Sequence, residues 1–387
     1  MAEACDDSAV RRLLLVSHRP IDQAGGGAAR WRSFAQHLPE LGWEIDVVSG
    51  GGADEFAAPQ HAQARARVME NMGRLADPAF RMAGLRPEAM PLSTAWVARG
   101  SVAIRRQLHK RRYDAVLTTG PPFAALMAAR LAAGDVPLIV ELRDLWAGSP
   151  AFDRGGPVLR RLESWVVRGS AAVVGVTPEA AADLQRRHPG ARVDEISNGF
   201  EPKLLELRRA TSGTTILHSG TLTKDRPLAP LLRLLKPPLR LVLHGYVVPE
   251  ILAEIEASGA DVELVPPSGW DDAVRRIAEA DVTLVTQSRG AGDATAVAAK
   301  VYEYLALGKP VLSTTDGGAT EALLHRLGAD GLVTRLDDEQ SIEAALGRIV
   351  AGELPPPVAP EKLKPYERPR LAAQLADVLV SVADSSG

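Results

Sequence analysis

The sequence predicts an α/β fold in which two parallel-sheet domains follow one another along the chain. Three observations predict it. Short aliphatic and β-branched runs alternate with longer helical stretches, the pattern of a parallel sheet covered on both faces. The alternation breaks off and restarts once, around residues 197–212. The chain has 387 residues, too many for one ordinary core and suited to two domains of middling size.

The elements follow in order. Residues 13–17 (LLLVS) are an apolar run ending on polar residues, and give the first strand. A Gly-rich turn leads into a helix over 29–41, with Gly42 as its stop. A strand at 45–48 follows. Residues 50–94 show helical patches without a regular pattern, and 95–112 is helical. Strands fall at 115–119, 138–142, 172–176 and 193–196, with helices between them, one running from Pro122 to about Ala133. The segment SNGFEPKLLELRRATSG then brings an Asn-Gly turn and a polar stretch. The second alternation has strands at 215–219, 241–244, 262–265, 282–285 and 311–314, and a short one near 331–333. Its helices lie near 229–235, 250–258, 273–279, 301–307 and 342–349. A Pro-rich connection, PPPVAPEKLKP, precedes a closing helix at 368–382. The expected organisation is a first domain over 1–205, a second over 206–365 and a tail over 366–387. Parallel sheets bind ligands at the carboxyl ends of their strands, so the expected site is a cleft between the domains.

Composition narrows the function classes. With 46% apolar and 24% charged residues, the chain reads as globular and soluble. No run approaches the ~18–20 apolar residues of a membrane span. Asp6 and Asp7 stand where a signal peptide would be basic, and Cys5 is the one cysteine, so a cytoplasmic protein without an internal disulfide is expected. Charge is uneven: residues 56–130 hold 12 Lys+Arg against 4 Asp+Glu, densest at Arg105, Arg106, Lys110, Arg111 and Arg112. That cluster reads either as a solvated helix face or as a surface for anionic lipid or a phosphate-bearing acceptor. Peripheral contact with the cytoplasmic membrane face is therefore one expectation. Nucleic acid is not expected, because few aromatics interleave the charges.

Four segments could carry chemistry. In VSHRPIDQAGGGAARWRSFAQHL, Gly25, Gly26 and Gly27 immediately precede a helix. Glycines let a ligand approach the backbone, and a helix N-terminus offers free N–H groups to phosphate. Arg30 stands where a nicotinamide fingerprint needs its third glycine, and suits an anion instead. In LIVELRDLW, Arg143 and Asp144 directly follow a buried strand. In TTILHSGTLTKDRPLAPLL, a strand ends at Gly220, and Thr221, Lys224 and Arg226 follow in the loop. A cation there can neutralise a leaving diphosphate, from either Lys224 or Arg226. In KVYEYLALGKPV, Glu303 lies in an apolar helix that stops at Gly308, where its carboxylate can accept both hydroxyls of a ribose.

KVYEYLALGKPV closely resembles the C-domain signature of family 4 glycosyltransferases, and four further segments resemble that family in the right order. These are the Gly-rich N-terminal segment, VELRDLW, SNGFEP and SGTL; the final YERPRLAAQLADVL resembles its returning C-terminal helix. The resemblance implies a GT-B architecture of two facing Rossmann-like domains, the first binding acceptor and the second binding donor. It implies transfer of a sugar from a nucleotide diphosphate, UDP or GDP, with retention and without a required cofactor. The acceptor would be a glycan, a lipid-linked intermediate or a small molecule, and the protein a monomer or homodimer. Glu303 then matches the ribose carboxylate, Lys224 or Arg226 the diphosphate clamp, and Gly26 and Gly27 the loop near donor phosphates and acceptor. One position departs: the wider family often carries a glutamate eight residues before Glu303, and here that residue is Thr295. Lys300, three residues before Glu303, matches family branches that lack the first acid.

Metal sites are not expected. Asp271-Asp272 and Asp337-Asp338 look like helix-start acids, and the histidines lack ligand spacing. His18 and His218 lie at strand ends, positions that can face the cleft, but buried, hydrogen-bonded structural histidines are the commoner outcome, and neither is placed in the catalytic set. No Walker loop or nucleophile elbow appears. Two other readings keep the fold: a GT-B nucleotide-sugar epimerase, which needs carboxylate pairs beyond Asp144 and Glu303, and a non-catalytic nucleotide-binding partner, favoured by Thr295.

Overall fold

The computed structural model describes residues 10–18, 20–21, 26–49, 94–147, 156–288 and 294–385. Gly25, Asp6, Asp7, Cys5 and nearly all of the irregular 50–94 stretch lie outside the described residues. The chain forms two compact units: Met1–Ser197 with Leu371–Gly387, and Asn198–Arg370.

The first unit is built on β1 (Arg11–Ser17), α1 (Gly26–His37), β2 (Trp43–Ser49), α2 (Thr94–Lys110), β3 (Ala115–Gly120), α3 (Ala124–Ala132), β4 (Leu138–Leu142), α4 (Gly156–Arg168), β5 (Ala172–Gly175), α5 (Pro178–Arg187) and β6 (Val193–Glu195). Its six strands pair in parallel in the order β2-β1-β3-β4-β5-β6. Successive side chains of a strand face opposite ways, and β1 shows the result. Leu13 and Leu15 join Trp31 and Phe34 of α1, whereas Leu14 and Val16 join Ile104 of α2 and Ala124 and Ala128 of α3. All four β1 residues are buried, which is why the strand reads as continuous apolar sequence. Leu371, Leu375 and Leu379, from the last helix of the chain, complete the α1 face.

The second unit repeats the plan with β7 (Thr215–Ser219), α6 (Ala229–Leu234), β8 (Arg240–His244), α7 (Pro249–Ser258), β9 (Val262–Val265), α8 (Trp270–Glu279), β10 (Val282–Thr286), α9 (Ala299–Ala306), β11 (Val311–Thr315), α10 (Ala319–Leu327), β12 (Val333–Arg335), α11 (Glu339–Val350) and α12 (Pro360–Leu363). The strand order is β12-β11-β10-β7-β8-β9, again all parallel. Ile216 packs with Leu231 of α6 and Ile342 of α11, while Leu217 packs with Ile277 of α8 and Val301 of α9. Helix α13 (Arg368–Asp384) begins here and passes into the first unit at Leu371.

Helix α10 has no counterpart in the sequence reading. It is nine residues long and opens on Gly318 with no side-chain cap, so neither length nor an N-cap residue announces it. Its burial of Leu323, Leu324 and Leu327 fixes it in place.

Both sheets reverse their direction of growth once. In the first, β1 and β3 flank the reversal; in the second, β7 and β10 do. Backbone connections diverge at such points and leave a crevice at the strands' carboxyl ends.

Candidate functional site

In the second unit, the reversal point gathers residues from β7, β10 and α9. Strand β7 ends at Ser219, whose N–H donates to the Tyr304 hydroxyl on α9 at 3.0 Å. Tyr304 is buried, and burial raises its pKa. Gly220 follows with φ +124, a conformation side chains rarely adopt. A Cβ on Gly220 would lie 2.9 Å from Lys300 Nζ. Lys300 Nζ is also 3.1 Å from His218 Nε2, so β7 and the first turn of α9 meet through these two side chains.

The electrostatics of the pair follow from burial. The Lys300 ammonium is pushed down to about 7, first by burial and then by Arg226, with Glu303 opposing. His218 lies well below the usual histidine range, first from burial and then from Lys300. Its ring is neutral at physiological pH.

Glu303 is one turn further along α9, at i+3 from Lys300, on the same face. Trp270 Nε1, at the start of α8, donates to its Oε1 at 3.3 Å. Arg368 Nη2 is 3.5 Å from that oxygen, and Arg368 Nη1 is 3.3 Å from Glu201. The Lys203 ammonium stands over the Trp270 ring at 4.6 Å. Burial raises the Glu303 carboxyl above the usual carboxylate range despite Arg368 and Trp270. Arg208 closes the helix, donating to the Ala306 carbonyl at 2.9 Å and to the Leu305 carbonyl, which also accepts from the Gly308 N–H, at 3.3 Å.

The loop after β7 is anchored on both sides. Leu222 is buried and bridges to Val247, in the loop after β8. Ser288, just past β10, donates to Asp225 at 2.7 Å. Between these anchors Thr221 and Lys224 are exposed and Arg226 is half-buried. Of the two candidate clamp residues, Arg226 is the one whose charge reaches Lys300 and His218. Thr295 is half-buried ahead of α9. Asp293 lies outside the described residues.

The first unit holds a second constellation. Helix α1 starts at Gly26, and Arg143, just past β4, packs against Gly27 so closely that a Cβ there would collide with its guanidinium. Arg143 Nε donates to Thr119 Oγ1 at 3.0 Å, and its Nη2 donates to the Pro121 carbonyl. Thr119 Oγ1 in turn donates to Glu141 at 2.6 Å. Glu141 also accepts from Trp31 Nε1 at 2.8 Å and pairs with Arg30 at 2.9 Å. Arg30 directs its remaining nitrogens to the Ser197 and Ile196 carbonyls. Arg30 and Glu141 are 5% and 1% exposed, so the structure places Arg30 in an interior ion pair, with its guanidinium engaged by Glu141 and two backbone carbonyls. Burial alone would raise Glu141, but Arg30, Thr119 and Arg143 outweigh it and hold the carboxyl low. Asp144 is half-buried directly after Arg143.

Of the residues singled out from sequence, the structure brings Gly220, Lys300, Glu303 and Arg226 to one end of the second sheet. It brings Gly27 and Arg143 together in the first unit. Glu141, Trp270, Tyr304 and Arg368 join these sites without being among the residues that the sequence singles out. A charge inside the apolar run LIVEL signals Glu141; nothing local signals the other three, which act across the fold. Among the described residues, no three His, Cys, Asp or Glu side chains gather as a metal site.

Residues 25–199 match the glycosyl transferase 4-like domain model. The match lies almost wholly within the first unit and takes in nearly all of its strands and helices. The family resemblance read from the motifs is shown by this match together with the fold. A search of curated proteins gives no match. The domain with its second unit has similar solved structures along nearly the whole chain. Sucrose-phosphate synthase from Thermosynechococcus elongatus has a TM-score of 0.65 at 15% identity, covering 97% of this chain and 96% of that one. HepE of Anabaena, solved with UDP and glucose, gives 0.58 at 15% identity over 97% and 98%. A UDP-forming trehalose-phosphate synthase from Burkholderia xenovorans, solved with glucose-6-phosphate, gives 0.61 at 15% identity over 96% and 99%. The fold is the GT-B α/β fold of glycosyltransferases.

Proposed function

We propose that this protein transfers a sugar from a nucleotide-diphosphate donor, UDP- or GDP-linked, to an acceptor with retention of anomeric configuration. One observation carries the reading: Lys300 and Glu303 share a face of α9 at the reversal point of the second sheet, with Lys300 against Gly220. A cation and a carboxylate one helical turn apart suit a diphosphate and a ribose diol. HepE binding UDP and glucose on a similar fold supports the same assignment.

In this reading the second unit binds donor. Glu303 accepts the ribose hydroxyls, Gly220 and Thr221 let the phosphates approach the backbone, and Lys300 with Arg226 or Lys224 neutralises the leaving diphosphate. The first unit binds acceptor, with Gly26, Gly27 and Arg143 at the α1 N-terminus and Asp144 beside them. The departing diphosphate itself helps to take the acceptor proton, so the protein supplies positioning and charge stabilisation instead of a covalent nucleophile. Thr295, shorter and uncharged, replaces an acidic contact to the donor sugar by a hydroxyl.

Binding of UDP and GDP to Glu303→Ala tests the donor assignment. A loss of about tenfold or more is expected, as for a charged hydrogen-bond partner removed; equal affinity in parent and variant would sink it. Product analysis of the parent with a donor panel, with and without acceptors, separates transfer from epimerisation.

The exposed face of α2 supports a membrane-surface acceptor. Arg105, Arg106 and Lys110 are exposed there beside Val102, itself 48% exposed. Arg111 is engaged by Glu44 at 3.0 Å. Reversing Arg105 and Arg106 should weaken binding to anionic vesicles; unchanged binding refutes this part. No helix among the described residues is long and apolar enough to cross a membrane.

A further inference from the structure

His218 is a buried titratable side chain that the reading above leaves without a task. It is 1% exposed, near the carboxyl end of β7. Its Nδ1 lies 3.1 Å from the Leu284 carbonyl oxygen on β10. A carbonyl only accepts, so Nδ1 carries the ring hydrogen. The neutral ring then presents a lone pair at Nε2, and that nitrogen is 3.1 Å from Lys300 Nζ. The contact is therefore directional: the lysine donates and the histidine accepts. On the other side of the amine the backbone turns through Gly220, where any Cβ would come within 2.9 Å of Nζ. A second glycine, Gly245 at φ +137, leaves room for the Gly220 carbonyl, which a Cβ there would approach to 2.2 Å. Three positions thus define where one amine stands.

We infer that His218 is a positioning residue for the donor diphosphate, its Nδ1–H tautomer holding Lys300 beside Gly220 as the cation on which the diphosphate lands. The inference rests on the donor reading above and deepens it.

A pH dependence follows. The groups acting on Lys300 are His218 from β7, Arg226 from the following loop, and Glu303 from its own helix; the ring itself is met by the Leu284 carbonyl on β10 and by the Thr221 backbone in the loop after β7. Burial and Arg226 bring the free amine down to about 7. An arriving diphosphate favours the ammonium and raises that value again. Below about 7 the free protein already carries the charge, so affinity is flat. Above it, binding must take up a proton, and affinity falls with pH, approaching about tenfold per unit.

The test is calorimetric titration of the full chain with UDP and GDP and with uridine and guanosine, between pH 7 and 9. This range lies above the secondary phosphate ionisation, which is near 6. The quantity read is the gain of the tighter diphosphate over its nucleoside. His218→Leu should cut that gain about tenfold, as for a lost charge-assisted hydrogen bond, and leave nucleoside affinity in place. His218→Gln, whose amide oxygen can still accept, should retain most of it. If neither diphosphate binds the parent, the donor reading fails and this inference falls with it. If the parent binds but His218→Leu keeps the full gain and the pH slope, the inference is overturned while the donor reading stands. Equal losses in the Leu and Gln variants also overturn it, because the ring would then act only as packing. A nitrogen-15 NMR spectrum of the parent needs no variant. It should show an Nδ1-protonated neutral ring from pH 6 to 8; the Nε2–H tautomer or an imidazolium there overturns the assignment.

Discussion

Two glutamates in the interior, Glu141 in the first unit and Glu303 in the second, meet opposite electrostatic fates. Glu141 has Arg30, Trp31 and Thr119 around it, all as donors within 2.9 Å, and its carboxyl is held low. Glu303 has Trp270 at 3.3 Å and Arg368 at 3.5 Å, the latter shared with Glu201, and its carboxyl is raised. Its side chain also keeps 17% of its surface open. A buried charge that is fully compensated serves the fold; one left partly uncompensated at a sheet's reversal point is the kind of group that the proposed donor site uses. Lys300, with a neutral histidine as its hydrogen-bond partner, belongs with Glu303.

The comparison breaks most visibly at Glu141. Glu141→Gln leaves the Arg30 charge buried against a neutral amide, and should cost about 3–5 kcal/mol of stability, read as a drop in the urea midpoint of the first unfolding transition. A cost below about 1 kcal/mol would mean that the pair is ornamental. The sign with pH is fixed by the lowered folded value. The stabilisation is present at neutral pH and lost as pH falls through and below the usual carboxylate range.

A smaller effect separates the two loop cations. Arg226→Ala should weaken diphosphate binding by about tenfold at neutral pH, because its charge reaches the site. It should also move the pH dependence of binding upward, since a cation that depresses Lys300 is gone. Lys224→Ala should change affinity by less than about threefold, as for an exposed charge. A larger loss from Lys224 than from Arg226 would reverse their ranking.

The smallest effect is a gain. Because the folded value of Glu303 is raised, ionising it opposes folding as pH rises above the usual carboxylate range. Glu303→Gln removes that charge, and Arg368 keeps Glu201. The melting temperature of the ligand-free protein should rise by up to about 2 °C at pH 7–8, while nucleotide affinity falls. A lower melting temperature would show that Glu303 is a structural ion pair like Glu141, and would erase the contrast.

The sheets were legible because their physics is local. A strand buried on both faces must be apolar throughout, so residues such as 13–17 and 138–142 stand out, and the observed β4 and β7 coincide with the expected ranges. Glu303 and Gly220 were legible for a related reason, since a charge in an apolar helix and a glycine at a strand's end each break a local pattern. Arg30 shows where such reading stops. An arginine in the first turns of a glycine-led helix looks like an anion ligand, yet its partner, Glu141, is 111 residues away. No window along the sequence contains both.

By itself, then, the sequence determined the alternation of strands and helices, the places where chain direction turns, and which residues carry charge inside apolar segments. Those follow from periodicity and backbone freedom. Only the tertiary structure decided which charges are neutralised and which are left open. Pairing depends on which donors elements far apart in the chain bring to a buried charge, three to Glu141 and a shared arginine with one indole to Glu303.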